Sequence, residues 1–104
     1  EHGVDVMDVS TGGIMSGVSI PVKPNYQVPF AEQVKAKADI PVTAVGLITK
    51  PKQAAKILAH GEADAVEIGR AALRDPYWPL RAANKLGIPS IEVPYAPQYV
   101  AGAY

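Results

Sequence analysis

The 104-residue sequence predicts an α/β fold in which three strand-then-helix units follow one another and share a parallel sheet. Two observations carry this. Apolar, β-branched runs begin near residues 4, 41 and 65, and each is followed by a segment with helical spacing or helix start and stop signals. The strands are also nearly continuous in apolar residues, as strands covered on both faces are. Such a series fits an open doubly wound sheet or part of a closed barrel. Three strands alone leave two apolar edges unpaired, and a complete eight-unit barrel needs about 250 residues. A portion of a barrel, or a chain that associates to hide its edges, is therefore expected.

The first strand is Val4 to Ser10, ending in Thr11-Gly12-Gly13. Residues 14 to 29 hold Gly17, Pro21, Pro24, Asn25 and Pro29 and read as a long loop. Pro29 suits a first helical turn, with Phe30, Val34 and Ala38 on one face. The second strand spans Ile40 to Ile48. Thr49 is placed to cap the next helix, Pro51 lies in its first turn, Ala54, Ile57 and Leu58 form its buried stripe, and Gly61 stops it. The third strand is Ala65 to Gly69. Arg70 to Arg74 has room for little more than one helical turn before Asp75-Pro76. A last helix runs from Pro76–Pro79 to Leu86, with Gly87 as its stop. Residues 1–87 thus form the three units, and 88–104, rich in proline and tyrosine, form a tail without a regular element.

Ten basic residues balance ten acidic ones, so neither a nucleic-acid surface nor a charged disordered tail is expected. The absence of cysteine excludes disulfides, zinc–thiolate sites and thiol nucleophiles. Apolar runs fall short of a membrane span and no secretory leader is evident, so a soluble, cytoplasmic chain is expected. The opening Glu1-His2-Gly3, directly before a strand, reads as a cut through a larger protein.

The sharpest chemical feature is Ile68-Gly69-Arg70 with its short helical turn. A strand that turns through glycine into a helix presents backbone N–H groups to an anion, and an adjacent guanidinium grips phosphate with two donors. Gly46, in Val45-Gly46-Leu47, lets a phosphate approach the main chain closely. The competing reading makes both glycines strand ends and Arg70 a solvated charge. Ser10 to Gly13 lies at the same end of the sheet and either approaches a ligand or, the simpler reading, turns the chain. Asp5 and Asp8, three apart on a strand, do not pair. His2 and His60 have no ligand partner at metal spacing, and His60 suits a helix C-terminus. Glu67 either faces a barrel interior, paired with a cation, or lies outward beneath a helix. Tyr77, Trp78 and Leu80 read as packing residues, and Lys35, Lys37, Lys50, Lys52 and Lys56 as solvated faces.

The runs GVDVMDVSTGG, YQVPFAEQVKAKADIPVTAVGLIT and ADAVEIGRAALRDPYWPLRAA resemble, in order and spacing, the C-terminal part of the Old Yellow Enzyme family, on its bacterial NADPH-dependent ene-reductase branch. The resemblance implies strands six to eight of a (β/α)8 (TIM) barrel that holds FMN without a covalent bond. It implies a reaction in which NADPH reduces the flavin and hydride passes to an activated alkene such as an enone. It places the flavin phosphate on Gly46 and on Gly69-Arg70, with Ser10 and Gly12 in the ligand-facing loop of strand six. The family's substrate-binding histidine pair, proton-donating tyrosine and flavin-tuning cysteine or threonine belong to its N-terminal half and have no matching position here. No catalytic residue is therefore expected in this chain, which by itself should be inactive. The family tail carries an arginine that reaches a neighbouring subunit; here Ala101 stands in its place, although packing of the tail on a partner, and a homo-oligomer, still fit. Glu67 replaces a usually apolar strand residue. Two other readings compete: another phosphate-binding barrel, for a sugar phosphate or a different flavin enzyme, and a self-associating half-barrel without a catalytic role.

Overall fold

The computed structural model describes residues 3–104; His2, considered above, lies outside the described residues. Three short strands, β1 (Met7–Val9), β2 (Val42–Ala44) and β3 (Ala65–Val66), form one parallel sheet in the order β1-β2-β3. Met7 lies opposite Val42, and Thr43 opposite both Asp8 and Ala65. The strands are shorter than their apolar runs, pairing along the later part of the first run and the early parts of the second and third. Four helices follow the expected punctuation: α1 (Val28–Lys35), α2 (Pro51–Ala59), α3 (Arg70–Arg74) and α4 (Trp78–Lys85).

Helix ends obey local chemistry. The N–H groups of Gly61 and Glu62 close on the carbonyls of Leu58 and Ile57, and Gly61 has a φ of 71°. Gly87 and Ile88 repeat this pattern on Asn84 and Ala83. Both are Schellman closures, which need the left-handed residue that glycine supplies. The start of α2 differs from expectation. Lys50, not Thr49, precedes the helix, and the Gln53 side chain caps it by accepting from the N–H groups of Thr49 and Lys50 at 3.0 and 3.3 Å. His60 stands at the C-terminal end of α2, as expected.

The core lies between the sheet and its helices. Val9, Val42, Ala44, Ile48 and Ile57 are buried there, together with Ala31 and Ala54, whose small side chains let α1 and α2 sit close to the sheet. Of the expected stripes, Val34 packs on the core and Ala54 and Ile57 are buried, but Phe30 and Leu58 turn outward. Val28 and Ala31 face the core from α1 while Phe30 is 44% exposed, and Leu58 of α2 is 43% exposed. Helix α1 begins one residue before Pro29, which turns its face relative to the four-residue spacing. Trp78 is buried and its indole N–H donates to the Thr49 carbonyl at 3.1 Å, anchoring α4 to the entry of α2, whereas Tyr77 is exposed. The tail is not featureless: residues 90–92 and 97–102 form two 3-10 turns.

At the end of the sheet away from the strand-end glycines, Asp64 ties three elements together. Its carboxylate accepts from Lys35 Nζ at 2.7 Å and from the Val42 N–H at 2.9 Å, and its own N–H donates to the Val42 carbonyl at 2.8 Å. Lys35 is therefore a partner of the sheet, not only part of a solvated face. The radius of gyration is 15.9 Å, against about 13 Å for a compact domain of this length, as an open three-stranded sheet with an extended tail requires.

Two outcomes follow from these anchors. Truncating Trp78 removes a buried aromatic and orphans the Thr49 carbonyl, so Trp78→Ala is expected to lower stability by about 3–5 kcal/mol, read from the urea midpoint. The Lys35 and Val42 hydrogen bonds hold the Asp64 carboxyl below its ordinary value. A carboxylate depressed in the folded state stabilises above the unfolded pKa, and that stabilisation is lost as pH falls through the folded one. Thermal melts should therefore show the chain less stable below the ordinary carboxylate range than at pH 7, with the difference reduced in Asp64→Asn.

Candidate functional site

The strand-end loops after β2 and β3 meet over a cavity of about 230 Å³. Gly46, Leu47 and Thr49 line it from one loop, Gly69, Arg70 and Arg74 from the other, with Glu67 on the β3 side and Tyr26 and Gln27 from the segment before α1. Three of the five residues singled out in the sequence, Gly46, Gly69 and Arg70, thus come together. Ser10 and Gly12 are not in this wall. Both are exposed, and a side chain at Gly12 would meet Ile20 of its own loop at 2.9 Å.

The Ser10–Gly13 loop is nonetheless tied to the cavity. The buried Gln27 carboxamide oxygen accepts from both the N–H and the hydroxyl of Thr11, the latter at 3.1 Å. The same Gln27 packs on Gly46, where a Cβ would lie 3.2 Å from Gln27 N, Cβ and Cγ. Gly46 has a φ of 123°, and Leu47 follows with a φ of 52°, a conformation that costs a non-glycine residue about 1–2 kcal/mol. Gln53 holds the turn in place by donating to the Leu47 carbonyl at 2.8 Å and to the Asn25 side chain.

The donors at the cavity are unspent. Among the described residues, the N–H groups of Gly46, Gly69, Arg70 and Ala71 have no acceptor, and neither Arg70 nor Arg74 is paired with a carboxylate. Asp75, the nearest acid in sequence to Arg74, is engaged by Arg81 through Nε at 2.7 Å and through its Nη2. A Cβ built on Gly69 meets no atom within 4 Å, so that wall opens onto free space. Glu67 faces the side of the sheet away from the helices, where Thr43 donates to it at 2.6 Å; Asp8 stands 3.5 Å beyond the same hydroxyl, too far for a second hydrogen bond. The partner of Glu67 is therefore a hydroxyl, not the cation expected for an interior carboxylate. Two guanidiniums against one carboxylate give the cavity a positive balance suited to an anion.

Sequence reasoning missed Gln27, Gln53, Tyr26 and Arg74. Arg74 had a readable signal, since it stands four residues after Arg70 and so on the same side of a helical turn. Gln53 had one too, since it stands at the third helical position, from which a glutamine reaches back to the N–H groups before a helix, whereas Gln27 had none, its partner being 16 residues away.

Strand-end glycines and unpaired arginines around one cavity of a parallel α/β fold are an arrangement suited to an anion. Residues 1–88 match the NADH:flavin oxidoreductase / NADH oxidase family, and the chain belongs to that family of oxidoreductases. It is 51% identical over 102 residues to the NADPH dehydrogenase of Geobacillus thermodenitrificans, covering 98% of this chain and 29% of that protein. It is 52% identical over 87 residues to the NADPH dehydrogenase of a second Geobacillus strain (84% and 25%), and 49% identical over 92 residues to that of Listeria innocua (88% and 27%). The chain thus spans between a quarter and a third of the length of these curated relatives. No helix among the described residues is long and apolar enough to cross a membrane.

The two glycines should respond differently to a methyl group. Gly46→Ala introduces both a positive-φ strain and a close contact with Gln27, and is expected to lower the urea midpoint by an amount equivalent to about 1–3 kcal/mol. Gly69→Ala, which meets no atom of the chain, should lower it less.

Proposed function

We propose that this chain is the flavin-phosphate-binding portion of an FMN-dependent NADPH dehydrogenase that reduces activated alkenes such as enones. The observation that carries the reading is the convergence of Gly46, Gly69 and the unpaired Arg70 on one cavity within a chain of the flavin oxidoreductase family. The residues fit the phosphate end of FMN. Backbone N–H groups without acceptors and a guanidinium supply charge-assisted hydrogen bonds, and Gly69, where a Cβ would meet no atom of the chain, stands beside open space. At about 230 Å³ the cavity is below the ~300–1,000 Å³ of whole-ligand pockets, so it takes one end of the cofactor. Ser10 and Gly12 act from the adjoining loop, which Thr11 and Gln27 hold against the Gly46 turn.

Bound there, FMN supplies hydride transfer between NADPH and the β-carbon of the alkene. The contribution of this chain is anchorage: Gly46, Gly69 and Arg70 bind the phosphate, and the Gln27 and Gln53 hydrogen bonds keep the loops in register. In this reading β1, β2 and β3 are strands six to eight of a (β/α)8 barrel, residues 1–87 form that barrel portion and residues 88–104 a tail that packs on a partner subunit. The outer edges of β1 and β3 have no strand beside them among the described residues, and Val6 and Met7 are exposed, which favours association of these edges with further strands. Such a protein acts in the cytoplasm, where NADPH is available.

The test is a chimera in which this chain replaces the matching segment of the Geobacillus thermodenitrificans NADPH dehydrogenase. The expected product retains FMN through purification and oxidises NADPH when given an enone. A folded chimera that takes up no FMN when the cofactor is added refutes the assignment.

A further inference from the structure

We propose that Arg74 is a second anion-gripping residue of the cavity, acting beside Arg70 on the same phosphate; this rests on the phosphate reading given above. The two arginines stand four residues apart on α3 and both line the cavity. Like charges at that spacing repel each other and weaken a helix. Among the described residues no carboxylate is engaged to offset the pair. Glu67, in the same cavity, forms no ion pair with either and accepts instead from Thr43, and Asp75 is held by Arg81. Both guanidiniums are exposed, so neither is retained for packing. An anion between them removes the repulsion and satisfies both forks.

The charge of the ligand argues for two arginines over one. A phosphate monoester carries about −1.5 to −2 at neutral pH. Arg70 alone leaves part of that charge unmatched in a cavity that also contains the Glu67 carboxylate, and Arg74 supplies the balance. Asp75 and Pro76 end the helix directly after Arg74, and the Asp75 carboxylate is turned to Arg81, which keeps it from pairing with Arg74. Arg74 is thus left available at the rim, one turn beyond Arg70.

The experiment is a fluorescence titration of the flavin-free chimera described above with FMN and with riboflavin, which lacks the phosphate, for the chimera with this chain's own residues (the wild type) and with Arg70→Ala, Arg74→Ala or Arg74→Lys. The wild type is expected to prefer FMN. Arg74→Ala should weaken FMN about ten-fold while leaving riboflavin unchanged, and Arg74→Lys should recover part of the loss by restoring the charge without the fork. Because Arg74 is exposed, these variants should keep the wild-type circular-dichroism spectrum. If Arg74→Ala retains the wild-type preference while Arg70→Ala loses it, Arg74 is not a phosphate ligand and the proposal fails alone. Equal losses for FMN and riboflavin mean a structural role and overturn it as well. If the wild type shows no preference for FMN, the phosphate reading fails and the proposal falls with it.

Discussion

The contact between Gly46 and Gln27 is the constraint on which the functional end of the molecule depends. A residue without a side chain at the end of β2 lets the segment before α1 approach its backbone to a distance that a Cβ would forbid. That approach buries Gln27, and the buried carboxamide needs a partner, which the Thr11 N–H and hydroxyl provide. One missing methyl group therefore brings the loops after β1 and β2 together. Gln53 performs the matching task on the other side of the turn, holding Leu47 in a left-handed conformation and Asn25 in reach. Strain of this kind persists only where surrounding hydrogen bonds over-determine the backbone. Here they lie beside the cavity whose wall they shape.

Local signals were the readable part of the sequence. Gly61 and Gly87 end helices because Schellman closures need a left-handed residue, and Asp75-Pro76 limits α3 because proline excludes helical geometry before it. The βα order likewise follows from runs of apolar residues separated by breakers. Helix rotation was harder to read. Spacing every four residues from Phe30 selects one face of α1, but the face that is buried holds Val28 and Ala31, chosen by where the helix starts against the sheet. The Thr49 cap failed for a related reason: threonine is the better intrinsic cap, yet the Gln53 side chain reaches back and satisfies the same N–H groups.

The site divides in the same way. Gly46, Gly69 and Arg70 were legible because the chemistry of each resides in its own type and its place at a strand end. Gln27 was not, since a glutamine before a helix is ordinarily a solvent-facing residue, and its burial here arises from a glycine 19 positions away. The standing of Glu67 likewise depends on register. Thr43 lies opposite Ala65, so the residue two further along β3 shares its face, and the Thr43 hydroxyl is the donor in reach. No property of Glu67 alone distinguishes that outcome from a salt bridge.

Two faces of one sheet then account for what this chain contributes and what it leaves to other atoms. The face under α1 and α2 is apolar and closed by Val9, Val42 and Ala44. The opposite face carries Asp8, Thr43 and Glu67 and, among the described residues, has no helix over it, and the cavity with its arginines opens at the strand ends beside it. A ligand anchored there by a phosphate extends beyond a cavity of about 230 Å³, so any larger body attached to that phosphate needs walls other than Gly46, Gly69 and Arg70. Donors concentrate at the anchoring end, where Arg70 and Arg74 and the strand-end N–H groups line the cavity. Under the function proposed above, that distribution assigns binding energy, rather than bond-making, to this part of the fold: a ligand held by one charged end at a defined point has the position of everything attached to it set as well.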